Sequence, residues 1–220
     1  MSTVAILPIK GFKDNAKTRL ASELPLGPRK ALVEAMYTDV LTALRRTKSI
    51  DTILVVSSDH NAQQIAGGHG AGIVEDSAVG HSNAAAAGIA AALELGHTRV
   101  LLVPGDTPLL DPTELEELLG LPASARSALI IPDRHGDGTN ALLLSPPDAL
   151  TPSFGEGSAE RHHQLAAGQG TDAHTVTVRS LALDVDTPDD FATLQETLAS
   201  TRGGAAHTRG MLNQLLRSRG

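Results

Sequence analysis

Short apolar runs alternate with longer helix-like segments through the first 120 residues, and this order constrains the fold more tightly than any single motif. Strands are expected at 4–9, 53–57, 72–74 and 99–103, and helices at 28–46, 59–66, 82–95 and 112–119. Strands each separated by a helix cannot pair as tight hairpins. They return by crossovers and build a mostly parallel sheet with helices on both faces. The run Val100-Leu101-Leu102-Val103 lacks polar alternation, as a strand buried on both sides would. Helix starts are marked too. Asp111-Pro112-Thr113-Glu114 and Thr187-Pro188-Asp189-Asp190 each offer a capping residue, a first-turn proline and an acid at the third helical position. Gly96 and Gly120 stand where C-terminal caps are expected.

After residue 120 the order changes. Strands at 128–132 and 140–144 flank the turn-rich Asp133-Arg134-His135-Gly136-Asp137-Gly138-Thr139, which adds at least one antiparallel strand. A last strand is expected at 175–181, with helices at 158–167 and 188–198. The reading is one Rossmann-like α/β domain over residues 1–200, its mixed, mostly parallel sheet flanked by helices. Residues 201–220 form a basic, flexible tail with a short apolar helix at 211–216.

Charge narrows the partners. The chain carries a net −7, but residues 201–220 hold four arginines and no acid, leaving −11 for the rest. An acidic body argues against a broad nucleic-acid face, and only Phe12, Tyr37, Phe154 and Phe191 offer rings for stacking bases. No run approaches the ~20 apolar residues of a membrane span. The first residues lack the charged region of a secretory signal, and there is no cysteine, so the cytoplasm is the expected compartment.

Asp184 and Asp186 sit two apart in Leu181-Ala182-Leu183-Asp184-Val185-Asp186, so on an extended strand both carboxylates share a face. Two like charges held that close call for a cation, and hard oxygen ligands suit Mg²⁺ bridging phosphates. The alternative is a pair of exposed strand-end acids, with Asp186 part of a helix cap. Asp106 strengthens the metal reading, because it follows the strand at 99–103 where α/β sheets bind ligands. Asp189 and Asp190 are explained by capping.

The first strand runs into a basic loop containing Lys10, Lys13, Lys17 and Arg19. Residues 11–18 nearly spell the phosphate-cradling G-x-x-x-x-G-K-[ST], with Ala16 in place of the second glycine. Pro25, Gly27 and Pro28 cut short the helix that would follow, so the loop is expected to meet a triphosphate in an extended form. The alanine-rich stretch from Asn83 reads as a helix packed closely on the sheet, with Gly80, His81, Ser82 and Asn83 beside a nucleotide pocket. The nine histidines form no metal pattern, and His162 and His163 are read as surface residues.

With the basic loop, Pro104-Gly105-Asp106-Thr107-Pro108 and Asp184-Val185-Asp186 in order, the chain resembles glycosyltransferase-A-like nucleotidyltransferases. Gly138-Thr139-Asn140-Ala141-Leu142 combined with Phe154-Gly155-Glu156-Gly157-Ser158-Ala159 narrows the resemblance. It points to guanylyltransferases that activate phosphoenolpyruvate or 2-phospho-L-lactate in making the deazaflavin coenzyme F-420. The resemblance covers residues 3–198. It implies that Asp106, Asp184 and Asp186 hold Mg²⁺, expected as two ions, and that Thr139, Gly155 and Ser158 contact the acceptor. It places Lys17 and Arg19 at the leaving pyrophosphate, and from their positions in the basic loop and at the helix start Lys10 and Asn83 are expected as further nucleotide contacts. GTP would give GMP to the acceptor, whose product passes to a downstream transferase. From spacing alone, Thr139 is equally a hairpin-turn residue, and Ser158 a helix cap whose amides suit an anion.

Two further readings stand beside this one. The first is a related nucleotidyltransferase using CTP with a polyol phosphate or GTP with molybdopterin. The second is a nucleotide-binding module without catalysis.

Overall fold

The computed structural model describes residues 1–12, 16–75 and 81–218. Lys13 of the basic loop and Gly80 lie outside them. The elements run β1 (Thr3–Pro8), α1 (Leu26–Arg46), β2 (Thr52–Val56), α2 (His60–Gly68), β3 (Gly72–Val74), α3 (His81–Glu94), β4 (Arg99–Leu102) and α4 (Pro112–Leu119). There follow β5 (Ser127–Pro132), β6 (Thr139–Ser145), α5 (Ser158–Gly168), β7 (Asp172–Thr175), α6 (Pro188–Ser200) and α7 (Ala206–Ser218). One sheet takes the order β3-β2-β1-β4-β6-β5-β7. Only β6 runs against its neighbours, pairing antiparallel with β4 and β5. The expected mixed, mostly parallel sheet is thus present, together with its antiparallel addition after residue 120.

Period-2 alternation sorts the central strands between two cores. Ala5, Leu7, Val55 and Leu101 join side chains of α1, α2, α4, α6 and α7 on one face. Val4, Ile6, Leu54, Val56, Val100 and Leu102 join α3 and α5 on the other. Gly88 lets α3 approach the sheet. A Cβ there would lie 2.4 Å from Ile6 Cγ2 and 3.1 Å from Val56 Cγ2. This is the close packing expected of the alanine-rich helix.

Two expectations need correction. The last strand lies at Asp172–Thr175, not 175–181, and residues Arg179–Leu181 form a 3-10 turn. The ladder with β5 ends after Val176 N–H donates to Ile130 O at 2.9 Å. The next rung needs an N–H from Pro132, and proline has none. The tail is also more than a short apolar helix. Helix α7 spans Ala206–Ser218, and the Asp39 carboxylate of α1 accepts from His207 N–H (3.0 Å) and Thr208 N–H (2.8 Å) at its first turn. Arg209 donates to the carbonyls of Thr201, Gly203 and Gly204 and to Leu198 O, and Leu212 enters the core. The arginines that mark this segment as a basic tail thus include one that bonds it to the body.

Candidate active site

At the carboxyl ends of β1 and β4, beside the reversed strand β6, lies a cavity of ≈ 170 Å³. Its walls include Asp106, Thr139, Asn140, Phe154, Asp184 and Asp186. Because β6 is antiparallel, its first residues reach the same end of the sheet as the last residues of β1 and β4.

Local structure fixes each side chain. Val185 N–H donates to Asp106 O at 3.1 Å, bringing the two acidic stretches together. The segment carrying Asp184 and Asp186 belongs to no strand, yet it keeps the alternation. Leu183 and Val185 are buried, while Asp184 and Asp186 line the cavity. Asp190 closes a capping box with Thr187 and also accepts from Asp186 N–H at 3.1 Å, so the helix start holds Asp186 in place. The expected capping role of Asp190 is met.

A bulge brings Asn140 in beside Thr139. Ile131 pairs with Ala141 and Pro132 with Thr139, leaving Asn140 opposite no partner. Consecutive residues of a regular strand point to opposite faces; here both line the cavity. The Asn140 amide donates to Leu181 O (2.7 Å), Ala182 O (3.2 Å) and Asp184 Oδ1 (3.3 Å), fastening the acidic segment to the sheet.

The electrostatics are those of crowded acids. Burial, and then the charge of Asp106, push Asp184 up to about 6. Lys17 donates from Nζ to Asp106 and to Asp186. Burial opposes its charge, but the two carboxylates outweigh burial and hold it above the usual lysine range. Lys17 has φ 49° and ψ 46°, a left-handed backbone that costs a non-glycine residue roughly 1–2 kcal/mol. Only a three-residue 3-10 turn, Thr18–Leu20, follows, so no helix extends the near P-loop pattern.

The donor set fits a hard cation. All three acids offer oxygen, Asp106 Oδ1 is buried without a partner, and an ammonium already bridges two of the acids. Among the described residues, however, no three acidic or imidazole groups converge closely enough to hold an ion as they stand. Lys17 takes the intervening place.

The other expected residues are spread more widely. Lys10 and Arg19 are exposed, as is Asn83 on α3, and none of them lines the cavity. Gly155 (φ 120°) follows Phe154 in the chain, and neither it nor Ser158 lines the cavity. The amides expected to receive an anion at the start of α5 are occupied. Gly157 N–H donates to Asp137 Oδ2 (2.9 Å), Ala159 N–H to Asp137 O (3.0 Å) and Ser158 N–H to Gly155 O (3.1 Å). The Ser158 hydroxyl is buried without a partner.

The family described as guanylyl transferase CofC like matches residues 3–216. The chain belongs to that family. The phosphoenolpyruvate guanylyltransferase of Conexibacter woesei is 56% identical over 220 residues, covering 99% of this chain and 98% of the relative. The 2-phospho-L-lactate guanylyltransferase of Methanothermobacter thermautotrophicus is 31% identical, covering 98% and 92%. The 3-phospho-D-glycerate guanylyltransferase of Phenylobacterium zucineum is 34% identical, covering 84% and 86%. A solved nucleotidyl transferase from Methanothermobacter shares the fold, with a TM-score of 0.65 at 18% identity over 91% of this chain and 99% of that one. The glycosyltransferase-A-like nucleotidyltransferase fold expected from the resemblance is therefore the one present.

Two residues of this candidate site escape a reading of the sequence. Asn140 is one, because nothing local announces the bulge. His162 is the other. It is wholly buried, against the expectation of a surface position, with Nδ1 3.0 Å from Thr139 Oγ1. A signal for it existed. Ser158, His162 and Ala166 recur every fourth residue and form the buried stripe of α5. Among the described residues no helix is long and apolar enough to cross a membrane.

Proposed function

We propose that the chain transfers GMP from GTP to the phosphate of phosphoenolpyruvate, releasing pyrophosphate, in biosynthesis of the deazaflavin coenzyme F-420. The observation that carries this reading is one cavity whose lining brings together Asp106, Asp184, Asp186 and Thr139. Family membership and the 56% identical relative support the donor and the acceptor.

Asp106, Asp184 and Asp186 would hold Mg²⁺, which when bound supplies charge neutralisation at the triphosphate. The acceptor's phosphate oxygen is already anionic, so no side chain has to remove a proton. Catalysis then rests on positioning. Lys17 exchanges its carboxylate partners for the leaving pyrophosphate, with Arg19 beside it. Lys10 and Asn83 add contacts to the nucleotide. Thr139, Gly155 and Ser158 receive the acceptor, the buried and unpartnered Ser158 hydroxyl being available to it. The reaction is cytoplasmic, and its product goes to a downstream transferase.

A second acceptor, 2-phospho-L-lactate, is favoured by the 31% identical relative. Pyrophosphate release separates the cases. The protein is incubated with Mg²⁺, GTP or CTP, and phosphoenolpyruvate, 2-phospho-L-lactate, 3-phospho-D-glycerate or a polyol phosphate. The expected outcome is fastest release with GTP and phosphoenolpyruvate, and none above background without an acceptor. Preference for CTP with a polyol phosphate, or for another phosphorylated acid, would replace this assignment.

A further inference from the structure

We propose that His162 is a positioning residue that fixes Thr139 as a hydrogen-bond donor toward the cavity, matching it to an anionic oxygen of the acceptor. This rests on the reading that Thr139 meets the acceptor. The argument starts at the far side of the ring. Ser153 N–H lies 2.9 Å from His162 Nε2, and a backbone amide can only donate, so Nε2 is an acceptor. A neutral imidazole with Nε2 bare carries its hydrogen on Nδ1. Nδ1 lies 3.0 Å from Thr139 Oγ1, so the histidine donates and the threonine oxygen accepts.

A hydroxyl has one hydrogen and two lone pairs. With a lone pair committed to His162, the hydrogen of Thr139 is left to point elsewhere. Among the described residues no protein acceptor takes it, and Thr139 is a wall of the cavity. A lone donor there suits a phosphate or carboxylate oxygen. The opposite tautomer would set Nε2–H against Ser153 N–H and turn a threonine lone pair toward the anion. The difference is attraction against repulsion.

The surroundings hold the ring in this state. His162 is wholly buried and meets Phe154 edge-on, with ring centroids 5.5 Å apart at 76°. Arg161 donates to Ser153 O from Nε (3.2 Å) and Nη2 (3.0 Å), and to Ser153 Oγ (3.0 Å), steadying the residue that supplies the deciding amide. Burial, then the charges of Arg161 and His163, lower the imidazole to about 4, so it stays neutral near pH 7.

The test compares KM for phosphoenolpyruvate with KM for GTP in four variants. His162→Gln can still accept from Ser153 but loses the donor at Nδ1, and it raises the acceptor KM about tenfold with GTP KM unchanged. His162→Asn keeps an N–H where Nδ1 stands, and it stays within about threefold of wild type. Thr139→Val raises the acceptor KM by itself, and adding His162→Gln to it causes no further rise. Equal His162→Gln effects with and without the Thr139 hydroxyl, or equal losses for Gln and Asn, overturn the positioning role while leaving the acceptor site intact. An unchanged acceptor KM in Thr139→Val removes the acceptor site itself, and the role of His162 with it. A measurement on the unaltered protein covers the case of variants that do not fold. Imidazole ¹⁵N NMR at pH 7 is expected to show the Nδ1–H tautomer for His162, and an Nε2–H tautomer or an imidazolium overturns the inference.

Discussion

Asp106→Asn is expected to lower kcat/KM for guanylyl transfer by about 10³-fold while leaving the protein as stable as before. The substitution keeps the shape and removes one charge. Burial, and after it the charge of Asp106, push Asp184 up to about 6, and one oxygen of Asp106 is itself buried without a partner. Such an arrangement is costly to the fold and makes sense as a seat for cationic charge during reaction. Relieving the crowding offsets the lost contact with Lys17, which keeps Asp186 as partner. The backbone bond from Val185 to Asp106 O does not involve the altered group. Pyrophosphate release and a thermal melt check both halves. Near-normal turnover would remove Asp106 from the chemistry, and a collapse of the melting temperature would make its role structural.

Lys17→Met is expected to lower kcat about 10²-fold and, in the same protein, to tighten Mg²⁺ binding about tenfold. The two effects have one origin. Lys17 bridges Asp106 and Asp186, so its ammonium competes with any metal for the same oxygens. Methionine keeps most of the apolar length and deletes the charge. Metal binding then no longer displaces an ion pair, but the ammonium proposed to meet the leaving pyrophosphate is gone. Calorimetric Mg²⁺ titration beside steady-state kinetics separates this from simple damage, which would weaken both. Unchanged Mg²⁺ affinity would show that Lys17 and metal do not share a place.

The parts of this site carried by strand ends were readable in the sequence. Asp106 follows an unbroken apolar run, and the alternation Leu183-Asp184-Val185-Asp186 sets two acids on one side even though the segment forms no strand. Capping at Thr187 and Asp190 was equally plain, because it depends on spacing within four residues. What escaped depends on contacts far apart in the chain. The bulge at Asn140 is visible only once β5 and β6 are in register. Lys17 was expected beside phosphate, and its pairing with Asp186, 169 positions away, exists only in the folded chain. The last strand was misplaced because its β-branched residues favour extension, whereas the ladder is ended by the missing N–H of Pro132 on the neighbouring strand.

The most direct test of the whole account follows a labelled phosphorus. The protein, Mg²⁺ and phosphoenolpyruvate are incubated with GTP carrying label at the α-phosphorus, and in a parallel run at the γ-phosphorus. Guanylyl transfer predicts that α-label appears in a guanylylated acceptor, while γ-label appears only in pyrophosphate, one for one. Transfer of γ-label to the acceptor, or α-label recovered only as free GMP or GDP, would contradict it.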